Sequence, residues 1–299
     1  MTTGMPVDSR LRNPARAGLT RHRFPWRRLI ALLFILPLSI AFSIPFFWLI
    51  SSSLKAMDEV WTWPISWLPE RVHWENYPDA WNSYHFSRLY RNTATMTILR
   101  LLGILLSCTS VAYAFARLRA RGKGLLFTLL LSTLMLPTHV TLIPTFVVWY
   151  RVGALDTYWP LVLPAFFGSA FDIFLLRQFF LTLPPELGEA AKIDGCSEFG
   201  ILWRVYVPLS MPALAVVAVF TFQSSWADFF APLIYLTDPK KMPISYGIFL
   251  FRGEAQKGGI TYWHHIMAMS TVMILPPLVL FFVSQRFFVQ GIVMTGLKG

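Results

Sequence analysis

Six windows of roughly 20 residues pass through this sequence almost free of charge, the length an α-helix needs to cross about 30 Å of hydrocarbon. They fall at about 29–50, 93–116, 125–148, 161–180, 213–236 and 266–286. Inside a bilayer every backbone N–H and C=O must be satisfied within the chain, so windows of this length read as helices. The fold class that follows is an all-α polytopic membrane protein with about six transmembrane helices. Composition points the same way: only 14% of the residues are charged, against about 25% in a soluble domain, which leaves too little polar surface to wrap a soluble globule.

The formal net charge of +11 does not indicate nucleic acid, because its carriers sit beside the spans. Arg10, Arg12, Arg16, Arg21, Arg23, Arg27 and Arg28 precede the first window, and Arg117, Arg119, Arg121 and Lys123 crowd the short loop after the second. Basic clusters of this kind mark the cytoplasmic side. With an even span count both termini are expected to be cytoplasmic, with loops 117–124 and 181–212; 51–92, 149–160 and 237–265 face out. Lys240, Lys241, Arg252 and Lys257 on the outer side make the bias less one-sided there. The chain divides into a basic tail over 1–28 suited to anionic lipid, a membrane domain over 29–289 and a C-terminal tail over 290–299. The first window is about 22 residues long and no small-residue cleavage site follows it, so it reads as an uncleaved span. Among the outer aromatics (Trp61, Trp63, Trp67, Trp74, Trp81, Tyr84), some suit interfacial anchoring and others a small folded cap.

Chemistry-bearing residues are sparse. Cys108 and Cys196 make neither a disulfide framework nor a metal site, and His139, His264 and His265 lack partners at metal spacing. No phosphate-cradling GxxxxGK[ST] loop, Ser-His-Asp arrangement or carboxylate pair is present, so no cofactor is expected and an enzyme is not indicated. Within the spans, Asp228 stands beside Trp226 and near Gln223 and Ser224. An ionisable residue near mid-helix costs about 2.5–3.5 kcal/mol, so this cluster faces the bundle interior or water. It reads either as lining of a translocation path or as an interhelical hydrogen bond. Arg100 is expected to snorkel to the outer interface, and Asp172 with Arg177 to form a structural pair. Prolines 37, 45, 137, 144, 164, 276 and 277 predict kinks within the spans.

The segment 183–214, LPPELGEAAKIDGCSEFGILWRVYVPLSMPAL, is no passive loop. Pro184 and Pro185 suit a helix start, Glu186 and Glu189 sit at its positive end, and Gly195 stops it. Ser197 can cap a second helix with Phe199, Leu202, Trp203 and Tyr206 on one apolar face, ended by Pro208. Leu187, Ala190, Ala191 and Asp194 share a face of the first helix whose middle is only methyl groups, which would let it enter a partner's groove closely.

These residues resemble the permease subunits of bacterial ABC importers, whose cytoplasmic signature stands here as Glu189, Ala190, Ala191, Lys192, Ile193, Asp194 and Gly195, followed by Pro208 and Pro212. Asp194 before Gly195, together with YAFARLRARGK (113–123), LMLPTHVTLIPTF (134–146), FLLRQFF (174–180) and QRFFVQGIVMTGLKG (285–299), resembles the maltose-importer-like, six-span carbohydrate branch. The likeness covers the chain beyond about residue 25. Departures at Cys196, Trp203, Val205 and Val207 leave the glycine turn and the small face intact.

The resemblance implies that 183–212 forms a coupling helix docked on an ATPase subunit, with Glu189, Ala190, Ala191, Asp194 and Gly195 in that contact. It implies a second, homologous permease, an ATP-binding-cassette ATPase dimer that performs the hydrolysis, an extracytoplasmic solute-binding protein, and a sugar as substrate moved across the bacterial cytoplasmic membrane by alternating access. Two rivals are a permease for another small polar solute, such as glycerol-phosphate compounds, and a membrane scaffold that transports nothing.

Overall fold

The computed structural model describes residues 26–83, 85–257 and 262–296, without the side chains of 27–29, 138, 251, 253–257 and 286–296. Most of the basic tail, Tyr84 and the last three residues of the GLKG ending therefore lie outside the described residues. Residues up to Phe47 form one unit and Trp48 onward a second, and all packing below belongs to the second.

In chain order the helices are α1 (Trp26–Ser53), α2 (Asn76–Ser83), α3 (Phe86–Arg117), α4 (Lys123–Ser132), α5 (Thr138–Arg151), α6 (Trp159–Val162), α7 (Ala170–Thr182), α8 (Glu186–Ile193), α9 (Glu198–Ile201), α10 (Val207–Leu209), α11 (Met211–Trp226), α12 (Phe230–Tyr235), α13 (Ile244–Lys257) and α14 (Trp263–Gly296). Among the described residues four helical stretches are long and apolar enough to cross a bilayer, or six if each of two bent pairs counts as one span. The polytopic helical class expected from the six windows is the observed one.

Three of the six windows are not continuous helices. Window three breaks at Leu136–Pro137, between α4 and α5. Window four is α6, a 3-10 turn over Leu163–Phe167 that begins with Pro164 at its second position, and then α7. Window five ends as a helix at Trp226 and resumes as α12. Proline removes an amide donor at the first two breaks, and each freed group must find a partner if the segment lies in hydrocarbon.

The core of the bundle is α3 packed on α7, α11 and the 3-10 turn, with α14 against α11. At 32 residues, α3 is about 48 Å long and carries contacts at both ends. Near its start Asn92 donates to the carbonyls of Lys240 (2.9 Å) and Met242 (3.0 Å), and Thr93 accepts the Ile244 amide at 2.8 Å. Near its end Tyr113 and Arg117 reach Glu198 and the carbonyls of Phe180 and Leu183. The loops thus sort into two sets, 237–244 at one end and 181–198 at the other, as the alternating topology requires.

A third loop joins the first set through Asp156. Its carboxylate accepts the amides of Thr237 and Asp238 (both 2.9 Å) and the Lys241 ammonium (2.7 Å). Lys241, which weakened the charge bias of the outer loops, is therefore neutralised locally. The Lys241 ammonium first, and then the two amides, hold the Asp156 carboxyl below the usual aspartate range. Among the tryptophans of 61–81, Trp81 packs by Phe86 and Tyr90, Trp67 by Trp48 and Trp61 by Trp263, while Trp63 and Trp74 are exposed.

Two expected outcomes follow from this packing. A Cβ at Gly103 would lie 2.8 Å from the Phe166 ring and 3.1 Å from the Ala165 carbonyl carbon. Gly103→Val should therefore cost about 1–3 kcal/mol of overpacking and lower the thermal midpoint of the detergent-solubilised protein. Asp156 has a depressed folded pKa, so its stabilisation is present above the ordinary aspartate pKa, about 3.9, and is lost as pH falls through the folded value. The gap in thermal midpoint between wild type and Asp156→Asn should be widest near neutral pH and close with acidification.

Candidate functional site

The segment between α7 and α11 folds as helix, turn, helix. Glu186 and Glu189 lie in the first turn of α8, behind Pro185. The helix ends in a Schellman motif: the Cys196 amide donates to the Ala191 carbonyl (2.9 Å) and the Gly195 amide to that of Lys192 (3.0 Å). Gly195 has φ +81°, and a Cβ there would meet nothing within 4 Å. Glycine is required for its backbone conformation alone. Ser197 then caps the next helix, its hydroxyl accepting the Gly200 amide at 3.2 Å.

The turn is clamped from three sides. Lys192 Nζ lies 2.5 Å from Glu198 Oε1, closing the angle between α8 and α9. Tyr113 donates to Glu198 Oε2 at 2.8 Å, tying the turn to α3. Arg117 Nη2 donates to the Phe180 and Leu183 carbonyls, both at 2.5 Å, and so caps the end of α7, while its guanidinium stands 5.0 Å from the Tyr206 ring centre. The Lys192 ammonium, then the Tyr113 hydroxyl, draws the Glu198 carboxyl below its ordinary range.

Two details of the loop differ from expectation. Ala191 is not on a free face; it is 9% exposed and turns inward with Gly188, where a Cβ would lie 3.1 Å from the Tyr206 hydroxyl. The small residues serve close packing under this chain's own loop. The outward face keeps Leu187, Glu189, Ala190 and Asp194 and adds Ile193, 87% exposed. Nor does Pro208 end the second helix, which continues to Leu209 through a π turn at Leu202–Tyr206 before the chain bends by 82° into α11. A π turn holds one residue more than an α turn and rotates the register by about a quarter turn. Leu202 and Tyr206 are buried, whereas Phe199 projects, 70% exposed.

A second candidate lies between α3, the interrupted fourth window, α11 and α12. It is a cavity of about 350 Å³ whose polar lining comes from Arg100, Ser169, Asp172, Thr221, Ser224 and Asp228. Asp228 is not mid-helix but in the break after α11. Its Oδ2 lies 2.9 Å from Arg100 Nη1, its Oδ1 accepts the Ala231 amide at 3.2 Å, and its carbonyl accepts the Ser245 hydroxyl at 2.6 Å. Arg100 therefore turns inward to a carboxylate at its own level instead of snorkelling. The expected Asp172–Arg177 pair does not form, because five residues place the two on different sides of α7. Arg177 donates to the Phe115 carbonyl (3.2 Å) and lies 4.1 Å over the Phe127 ring, while Asp172 faces the cavity at the start of α7.

Of the four residues read from sequence as a path, Ser224 and Asp228 line the cavity. Gln223 is exposed but is not part of the lining. Trp226 is a packing residue, 3% exposed, with its indole donating to the Met273 carbonyl at 2.9 Å and stacked on Phe222. Arg100, Ser169, Asp172 and Thr221 line the cavity without having been read as path from the sequence. The signal for Ser169 was the Pro164 and Gly168–Ser169 interruption within an apolar window.

Residues 101–294 match the family described as binding-protein-dependent transport system inner membrane component. The chain is 33% identical over 265 residues to the probable ABC transporter permease protein YurM of Bacillus subtilis, covering 87% of this chain and 85% of that one. It is 33% identical over 268 residues to the sn-glycerol-3-phosphate transport system permease protein UgpE of Yersinia pestis (88% and 92% covered). With UgpE of Escherichia coli O1:K1 it shares 36% over 243 residues (79% and 85%). In fold it is similar to a chain of a bacterial ABC transporter that imports the acidic polysaccharide alginate, with a TM-score of 0.77 at 23% identity, covering 88% of this chain and 98% of that one.

Gly195→Ala forces a left-handed backbone on a residue with a Cβ, at a cost of about 1–2 kcal/mol. Amide exchange over 186–198 should rise severalfold while exchange in α3 and α11 stays unchanged.

Proposed function

The chain belongs to the family of inner membrane components of binding-protein-dependent transport systems, the permease subunits of ABC importers, and from that premise we propose that it carries a neutral sugar through the membrane. The observation that carries the substrate class is the charge of the cavity. Its one arginine is already paired, and Asp172 adds a second carboxylate. A phosphate-bearing solute needs unpaired cationic donors, whereas hydroxyl groups are matched by carboxylate acceptors and the serine and threonine hydroxyls. Relatives named for glycerol 3-phosphate and a fold neighbour that imports alginate mark the chemical range of the wider family.

In this reading hydrolysis belongs to a separate ATP-binding-cassette dimer. The outward face of α8, with Leu187, Glu189, Ala190 and Asp194, docks on that dimer, and Ile193 and Phe199 extend the contact on either side of the Gly195 turn. Exposed large apolar side chains at a loop otherwise held by an ion pair and hydrogen bonds suit such a contact. Ala191 supports it from inside. A second homologous permease completes the pathway, a solute-binding protein delivers the sugar outside, and both termini lie in the cytoplasm. Closure of the ATPase would move the clamped turn, and Tyr113 would pass the movement to α3.

The test is uptake of labelled mono- and oligosaccharides in cells lacking the gene, then restored with wild type or Gly195→Asp. Loss of one sugar class on deletion, recovery with wild type and failure of a well-expressed Gly195→Asp protein is the expected pattern. Unchanged sugar uptake with loss of glycerol 3-phosphate uptake would replace the substrate class. No change in any solute would favour a scaffold, and normal transport by the variant would remove the coupling role of the loop.

A further inference from the structure

We propose that Asp228 is the charge-selecting residue of the membrane cavity: its carboxylate cancels Arg100, so the cavity admits neutral polyhydroxyl solutes and turns anions away. The inference rests on the permease reading and adds to it a residue that sets specificity.

The cavity is formally acidic, with one guanidinium against two carboxylates. Asp172 sits in the first turn of α7, where the partial positive charge of a helix start accommodates it. That leaves Arg100 and Asp228 as the pair whose balance decides the local potential. Their 2.9 Å contact, with the two side chains 28% and 20% exposed, is made in a partly enclosed cavity, where charges are screened less than at an open surface. Remove the carboxylate and the lining goes from formally acidic to neutral, with Asp172 as its remaining carboxylate; Arg100 loses its 2.9 Å partner and its guanidinium, with the Ser169, Thr221 and Ser224 hydroxyls, becomes a donor set for a phosphate or carboxylate. The same scaffold would then accept anions after a change at one position.

The pairing is held from outside the cavity as well. Ala231 fixes one carboxylate oxygen and Ser245, on α13, fixes the Asp228 backbone. Asp228 therefore stays aimed at Arg100 through the geometry of the break rather than by attraction alone. This also creates the competing explanation, in which Asp228 only caps α12. Asparagine keeps an oxygen for the Ala231 amide and loses the charge, so Asp228→Asn separates the two roles.

The measurement uses the full chain in membrane vesicles, carrying Ser224→Cys as a reporter and Cys196→Ala; Cys108 is buried. Labelling rates are compared for two methanethiosulfonates, anionic sulfonatoethyl and cationic trimethylammonioethyl. Asp228→Asn should raise the anionic-to-cationic rate ratio on the order of tenfold, and adding Arg100→Gln should bring it back. A ratio unmoved by Asp228→Asn, whether or not the two rates shift together, would mean a structural cap only and overturns the proposal. So does a reporter thiol at position 224 that neither reagent reaches. These rates are read without transport, so failure of the sugar assignment in uptake and failure here are distinguishable.

Discussion

Hydrocarbon offers no hydrogen bonds, and the two helix breaks that border the cavity are organised around that fact. The fourth window breaks at its 3-10 turn, and α3 supplies what the break needs: Ser107 donates to the Ala165 carbonyl at 2.9 Å and the Cys108 sulfur accepts the Ser169 amide at 3.2 Å. The break after α11 is served by Asp228, which satisfies the Ala231 amide, receives Ser245 on its own carbonyl and takes the Arg100 guanidinium. Irregular backbone at such depth is tolerated where it lines a cavity or is buried in protein. Both breaks do so, and the cavity lies between them.

One helix joins the elements. α3 holds the 240–244 loop through Asn92 and Thr93, faces the cavity through Arg100, supports the fourth-window break through Ser107 and Cys108, and meets the α8–α9 turn through Tyr113. Gly103 lets it approach the Phe166 ring closely. In the proposed mechanism a displacement of the turn would reach the rest of the bundle along this one helix, through the Tyr113–Glu198 bond. The polar ties at the turn are few and exposed enough to remake, with Lys192 and Glu198 about half in solvent, whereas the aromatic set of Tyr113, Phe180 and Tyr206 beneath them is buried.

The sequence by itself determined what depends on local chemistry and on length. Charge-free windows dictated a polytopic helical protein, because no other structure satisfies such segments in a bilayer. The loop was legible from Pro184–Pro185, the left-handed turn at Gly195 and the cap at Ser197, since each acts on neighbours within a few residues. Tertiary structure decided everything that depended on which residues meet across distance. Arg100 and Asp228 are 128 residues apart, and nothing local signals that a helix break brings them level. Ala191 faces inward, into the buried cluster that holds Tyr206, and Trp226 packs with its indole on the Met273 carbonyl. Helical spacing fixes which residues share a face, but which face is buried is set by the partners that packing supplies.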